Sequence, residues 1–259
     1  MPKLAANLTM LFNEWNFLDR FRLAAEAGFK AVEYLFPYDH DVRVLKRTLT
    51  EHGLVQVLHD APAGDWVRGD RGIGCLPDRV AEFEAGIDLA IEYATVLGCR
   101  QINCLAGIRP RDLSVKEASA TFVRNLRYAA PRLKAAGIAL LIEPINTQDV
   151  PDYFLCRTSQ ALEIIEAAGA ENLFLQYDVY HMHIMEGDLA RTIERNLTRI
   201  AHIQIADSPG RHEPGTGEID YPFLLAFLDR IGYSGWVGCE YIPAASTEAG
   251  LDWTRQYLA

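Results

Sequence analysis

Carboxylate and amide side chains closing short apolar runs are the first residues in this chain whose types and spacing suggest chemistry. Ile138-Ala-Leu-Leu-Ile142 is followed by Glu143, and Leu173-Phe-Leu-Gln-Tyr177 by Asp178. Trp236-Val-Gly-Cys239 leads into Glu240, and His202-Ile-Gln-Ile-Ala206 carries Gln204 near its end. A carboxylate at the end of a buried strand is costly to desolvate unless something compensates it. Several gathered at one place would also repel one another. A divalent cation resolves both problems. The oxygen set of Glu143, Asp178, Gln204 and Glu240 suits Mg²⁺ or Mn²⁺ better than a structural zinc. Taken singly, each acid serves equally well as a helix N-cap or a loop ion-pair partner. On spacing alone both readings stand.

Histidines and arginines extend the set. His181 lies three residues beyond Asp178, and His59 closes another apolar run. Either can hydrogen-bond a substrate hydroxyl or carbonyl. His202 shares a strand face with Gln204 but sits deeper, as core histidines do. His40, His52 and His183 are expected at the surface, and His212 falls in a Gly/Pro-rich loop without an assigned role. Arg68, Arg71 and Arg211 lie in loops after apolar runs, where a planar guanidinium can hold a substrate carboxylate bidentately. Each reads equally as a solvated arginine. Trp15 and Trp66 would wall such a pocket or simply pack.

The elements that must position these residues follow one rhythm. Eight strands are expected at Leu4–Asn7, Ala31–Glu33, Val55–His59, Gln101–Leu105, Ala139–Glu143, Leu173–Asp178, His202–Ala206 and Trp236–Glu240. Helices are expected at Phe17–Ala27, Arg79–Leu97, Val115–Ala136, Ser159–Ala168 and Tyr221–Ile231, each stopped by the glycine that follows. Alternation of this kind implies a parallel sheet with right-handed crossovers. Eight units within 259 residues favour an α/β fold of the closed (β/α)₈ TIM-barrel type, one domain over residues 1–259. All strands would then deliver their C-terminal ends to one mouth. No G-x-G-x-x-G follows the first strand, which weakens a dinucleotide site. Gly69–Gly74 reads as a lid-like loop.

Bulk properties narrow the partners. A net charge of −10 disfavours a phosphate-backbone partner, so no nucleic acid is expected. Apolar runs are broken well short of the roughly 20 residues a membrane span needs. The start lacks a signal-peptide layout. The five cysteines are odd in number with no CxxC pair, as expected of reduced thiols. Together these predict a cytoplasmic protein acting on a small molecule, with a homo-oligomer compatible with the sequence.

Eight stretches resemble the hydroxypyruvate isomerase family of the xylose isomerase-like barrel superfamily. They are Phe36-Pro-Tyr, Pro62-Ala-Gly-Asp-Trp66, Ile102-Asn-Cys-Leu105, Leu141-Ile-Glu-Pro-Ile-Asn146, Gln176-Tyr-Asp-Val-Tyr-His181, His202-Ile-Gln-Ile-Ala-Asp207, His212-Glu-Pro-Gly-Thr-Gly-Glu-Ile219 and Gly235-Trp-Val-Gly-Cys-Glu-Tyr241. The resemblance covers nearly the whole chain. It implies a barrel in which Glu143 and Glu240 are the proton donor/acceptor pair. It also implies that Glu143, Asp178, Gln204 and Glu240 hold a divalent metal. The implied reaction interconverts hydroxypyruvate and tartronate semialdehyde through an enediolate. Two positions depart from the family pattern: Ile242 stands where Lys is common, and Asp60 where Asn is common. The first removes a cation beside Glu240 and the second adds a negative charge, so substrate preference is less fixed than reaction type. A 2-oxo-tetronate isomerase or a ketose 3-epimerase would use the same frame. An apurinic endonuclease would need a basic groove that the charge balance opposes, and a non-catalytic sugar-acid binder would exchange no proton.

Overall fold

The computed structural model describes residues 1–258. Eight parallel strands close into a barrel in chain order: β1 (Lys3–Asn7), β2 (Ala31–Glu33), β3 (Val55–Asp60), β4 (Gln101–Asn103), β5 (Ala139–Ile142), β6 (Leu173–Asp178), β7 (Ile200–Ile205) and β8 (Trp236–Cys239). The ring shuts where Leu4 of β1 pairs with Val237 of β8. Within it, Ala5, Ala31, Val57, Leu58 and Leu141 form a buried apolar cluster. A larger apolar layer lies between strands and helices, with Phe21, Phe122 and Leu126 fully buried. This two-layer burial is what period-2 strands and amphipathic helices achieve when the sheet closes on itself.

The helices are α1 (Phe17–Glu26), α2 (Val42–Glu51), α3 (Val80–Leu97), α4 (Val115–Ala135), α5 (Thr158–Ala168), α6 (Val179–Met185), α7 (Leu189–Arg195) and α8 (Tyr221–Arg230). The Ser114–Glu117 capping box opens α4, and Gly98 (φ 80°) closes α3 in the left-handed conformation. Helices α2, α6 and α7 are absent from the sequence expectation. Asp41 caps α2 by accepting from the N–H groups of Arg43 and Val44 at 2.7 and 3.3 Å, and Gly53 (φ 64°) follows its C-cap His52 as Gly28 follows α1. Strands β5 and β8 stop one residue earlier than expected, so Glu143 and Glu240 are the first residues beyond their strands.

Two other expectations are corrected, the lid-like loop and the surface placement of three histidines. The second half of Gly69–Gly74 is not a lid. Gly72 N–H donates to Ala63 O and Gly74 N–H to Leu105 O, and Ile73 is buried. His40 and His183 are half-buried rather than exposed: one stacks on Phe17 with ring centroids 4.7 Å apart, the other sits 2.7 Å from Glu218. His52 is likewise only half-exposed. All five cysteines are free. Among the described residues no helix is long and apolar enough to cross a membrane.

One irregularity decides which side chains reach the barrel interior. Val32 pairs with Gln56, but Glu33 pairs with Leu58, so β3 holds one extra residue. A one-residue shift exchanges the two faces of everything that follows. His59 is thereby turned toward the helices and Asp60 toward the inside.

Candidate active site

At the mouth, Glu143, Asp178, His181 and Glu240 each place a potential ligand atom within 4.8 Å of the others, and all four are buried. Asp178 ends β6 and caps α6: its Oδ1 accepts from the N–H groups of Tyr180 and His181 at 2.7 and 3.2 Å. Its Oδ2 has no hydrogen-bond partner. The N-cap and metal readings are therefore compatible here, one oxygen for each. Glu143 Oε2 accepts from Asn103 Nδ2 at 3.1 Å. Glu240 Oε1 accepts from Asn7 at 3.3 Å, and its Oε2 from Arg211 at 2.8 Å. The same guanidinium lies 3.8 Å from Asp178 Oδ2. Arg211 occupies the left-handed region (φ 53°), and its carbonyl accepts from Ile242 N–H at 2.8 Å. A strained backbone held from a neighbouring loop aims this cation at the acids.

Electrostatics agree with the geometry. Burial pushes the Glu143 carboxyl well above its ordinary pKa, and Glu240 and Asp178 push it further. Burial raises Glu240 as well, against the opposing pull of Arg211. Arg211 would lose basicity through burial, but Glu240, Asp178 and Glu143 outweigh that and hold it above the ordinary value. Three carboxylates facing one arginine leave an excess of negative charge. The orphan Asp178 oxygen and the hard oxygen donors around it fit a divalent cation.

Below this rim lies a polar layer. Gln176 donates to Gln204 Oε1 at 2.6 Å, and Gln204 Nε2 donates to Glu33 Oε1 at 2.9 Å. Asn7 donates to the same Glu33 oxygen at 3.0 Å, and His202 Nε2 lies 2.7 Å from Glu33 Oε2. Above the rim opens a cavity of about 210 Å³. Glu143, Glu240, His181, Arg211, Asp149 and Arg71 supply its polar wall, and Met10, Leu35, Trp66, Leu105, Ile145 and Val150 its apolar wall.

A family model described as a xylose isomerase-like TIM barrel matches residues 21–257. The chain belongs to this family. It is 51% identical to hydroxypyruvate isomerase of Escherichia coli, over 99% of this chain and 100% of the relative. It is 49% identical to 2-oxo-tetronate isomerase of Cupriavidus necator, over 100% and 99%. A crystal structure from Brucella melitensis, described as an AP endonuclease of family 2, superposes with a TM-score of 0.97 at 47% identity, covering 99% of each chain. With relatives of this identity named as isomerases over their full length, the chain is an isomerase of the xylose isomerase-like TIM barrel family.

Seen in that barrel, the expected site residues separate. Glu143, Asp178, Glu240, His181 and Arg211 converge at the mouth, and Arg71 lines the outer wall. Gln204 is next to Asp178 in strand register, but its amide faces Gln176 and Glu33. His59 is not brought to the cavity. The β3 bulge turns its ring against Tyr38 and Ala90, with Nδ1 3.1 Å from Gln56, and burial lowers its pKa to about 4. Arg68 points to solvent and pairs with Asp65 at 3.3 Å. Trp66 lines the cavity, whereas Trp15 belongs to a separate surface groove beside Glu14 and Thr247. Sequence reasoning passed over Asn103, Asn146 and Asp149 as site residues. Asn103 breaks an apolar strand, and Asn146 and Asp149 follow Glu143 closely; those were the available signals. Asp60, noted only as a departure, is buried with Oδ2 unpartnered and pushes the Glu143 and Glu240 carboxyls further up.

Proposed function

We propose that this isomerase interconverts a small 2-oxo-3-hydroxy acid and its aldehyde isomer, with hydroxypyruvate as substrate and Mg²⁺ or Mn²⁺ as cofactor. The observation that carries the reading is the buried set of Glu143, Asp178 and Glu240 around an orphan Asp178 oxygen, with an open cavity directly above it. Glu143 and Glu240 act as the proton acceptor and donor. One removes the proton from C3 of hydroxypyruvate and the other returns a proton to C2, while the hydroxyl proton passes from the C3 oxygen to the C2 oxygen. Glu143, Asp178, Glu240 and Gln204 are the residues that would hold the cation; Gln204 would have to release Gln176 to do so. When bound, a divalent cation there polarises the carbonyl and stabilises the enediolate. Arg211 neutralises part of the carboxylate charge and, with Arg71, offers guanidinium groups to the substrate carboxylate. Positioned acid–base groups contribute about 10²–10⁴-fold, which makes both glutamates indispensable.

A second reading has its own support. The cavity is roomy for a three-carbon acid, and the two relatives differ little in identity. A 2-oxo-tetronate has the same reacting carbons and one more at the far end. One experiment tests both: incubate each acid in D₂O with Mg²⁺, Mn²⁺ or EDTA, and read deuterium at carbon by NMR. Metal-dependent deuteration with formation of the 3-oxo isomer is expected, an aldehyde from hydroxypyruvate and a ketone from the tetronate. Binding without deuteration of either acid would end the proposal.

A further inference from the structure

The two ring nitrogens of His181 have different surroundings. Nδ1 lies 2.7 Å from the side-chain nitrogen of Asn146. Nε2 faces the cavity, 3.6 Å from Asp178 Oδ2 and 3.5 Å from the Arg211 guanidinium. The proton's position follows from Asn146. Its amide oxygen accepts from the backbone N–H groups of Gln148 and Asp149, at 3.0 and 2.8 Å. Its nitrogen donates to Asp149 Oδ2 at 3.0 Å, an oxygen that also accepts from the Tyr180 hydroxyl at 2.9 Å. Reversing the amide would face N–H against two backbone N–H groups and oxygen against a carboxylate. The N–H side is therefore fixed toward His181, and a ring nitrogen facing an N–H donor is an acceptor.

We infer that Asn146 is a positioning residue that holds His181 as its Nε2–H tautomer, so that the ring offers the cavity a hydrogen-bond donor and not a lone pair for a cation. The Arg211 contact is the one opposing feature. At 3.5 Å it is at the outer limit of a hydrogen bond, against 2.7 Å on the Nδ1 side, and the same guanidinium is better engaged on Glu240 at 2.8 Å. His181 thus sits inside the 4.8 Å cluster but supplies no ligand atom to it. The cation is left to carboxylate and amide oxygens. The Nε2–H faces the cavity, where it stabilises negative charge developing on a substrate oxygen. This donor role rests on the isomerase reading; the tautomer does not.

The experiment separates the two. Protein labelled with ¹⁵N in its histidine rings is examined by NMR at pH 7 without metal and again with Mg²⁺, and the His181 signals are assigned by their loss in His181→Gln. A pyridine-like Nδ1 and a protonated Nε2, unchanged by Mg²⁺, are expected. A protonated Nδ1 in the wild-type protein, or an Nε2 that loses its proton when Mg²⁺ is added, overturns the inference. Asn146→Asp keeps an oxygen for both backbone N–H groups but turns a second oxygen on both Nδ1 and Asp149 Oδ2; the added negative charge beside Nδ1 should draw the proton there. Turnover should then fall about 10²–10³-fold, mainly in kcat and with little change in KM, because the donor acts on the transition state. If the proton moves and kcat does not, the donor role fails while the tautomer assignment stands. If Asn146→Asp does not fold, the wild-type spectrum alone decides the tautomer.

Discussion

Asp178 ends β6 and Asp207 lies just beyond the neighbouring β7, and both are buried. Asp207 is fully engaged: Oδ1 accepts from the N–H groups of Ser208 and Ile219, and Oδ2 from those of Gly215 and Gly217, all at 2.8–3.1 Å. Even the neighbouring glycine is part of the cradle, since a Cβ on Gly217 would lie 2.0 Å from Ser208 O and 2.6 Å from Asp207 Oδ1. Asp178 gives one oxygen to two N–H groups and leaves the other without a partner, among Glu143 and Glu240. A buried carboxylate surrounded by fixed donors is a structural anchor for its loop. One left half-satisfied beside two others stores a demand for positive charge.

The sharpest way to break this contrast is at the rim. Glu143→Gln and Glu240→Gln should each reduce turnover by about 10²–10⁴-fold while the circular dichroism spectrum and fold are retained. EDTA should abolish activity, with Mg²⁺ or Mn²⁺ restoring it. Near-full turnover in either variant would refute the two-carboxylate chemistry.

Asp207→Asn should do the opposite. It leaves two N–H groups facing an amide N–H₂ and should lower stability by about 1.5–3 kcal/mol, read from the shift in urea midpoint, with kcat little altered. A large kcat loss at unchanged stability would mean that Asp207 belongs to the site and that the contrast is false.

Stability of the metal-free protein against pH tests the same point. Glu143 and Glu240 have folded-state pKa values raised by burial and by their neighbours. A raised folded pKa means more protons bound in the folded state. The stabilising contribution is thus fully present below the ordinary glutamate value of 4.5 and is lost as pH climbs through the folded values. Buried His59 and His181, with pKa values lowered to about 4, contribute the opposite slope, so the measurement is a difference: without metal, the Tm of Glu143→Gln relative to the wild type should rise with pH above 4.5, and Mg²⁺ should cancel that gain at neutral pH. A metal-free Tm difference between Glu143→Gln and the wild type that stays flat or shrinks with pH through that range would contradict the electrostatic account.

The barrel could be read from the chain because helix, glycine and apolar strand recur, and each signal is local. The rim acids could be read because closed barrels deliver all strand ends to one face. Three things lay beyond local pattern. Short α6 borrows its cap from Asp178, a residue that already looked like a ligand, so the start of that helix was concealed. The extra residue in β3 is visible only once Glu33 is paired with Leu58, and it exchanges His59 for Asp60 at the inner face. Asn146 gains its meaning from Gln148, Asp149 and His181 together, which no spacing announces.

The smallest effects should come from two arginines in one loop, three residues apart. Arg71 lines the cavity; its guanidinium lies 4.2 Å from the Trp66 ring centroid and donates to the carbonyls of Trp66 and Asp70 at 3.1 and 2.7 Å. Arg68 has a side chain 87% exposed and leans on Asp65. If the substrate carboxylate is gripped by contact, only Arg71 matters. A partly solvated charge contact is worth about 0.2–1 kcal/mol, so Arg71→Ala should raise KM by up to about fivefold, more at low ionic strength than at high, with kcat unchanged. Arg68→Ala should leave both constants within error. Equal KM increases in the two variants would show that the loop attracts the acid through its overall field, and that contact with the cavity wall is not what distinguishes the two.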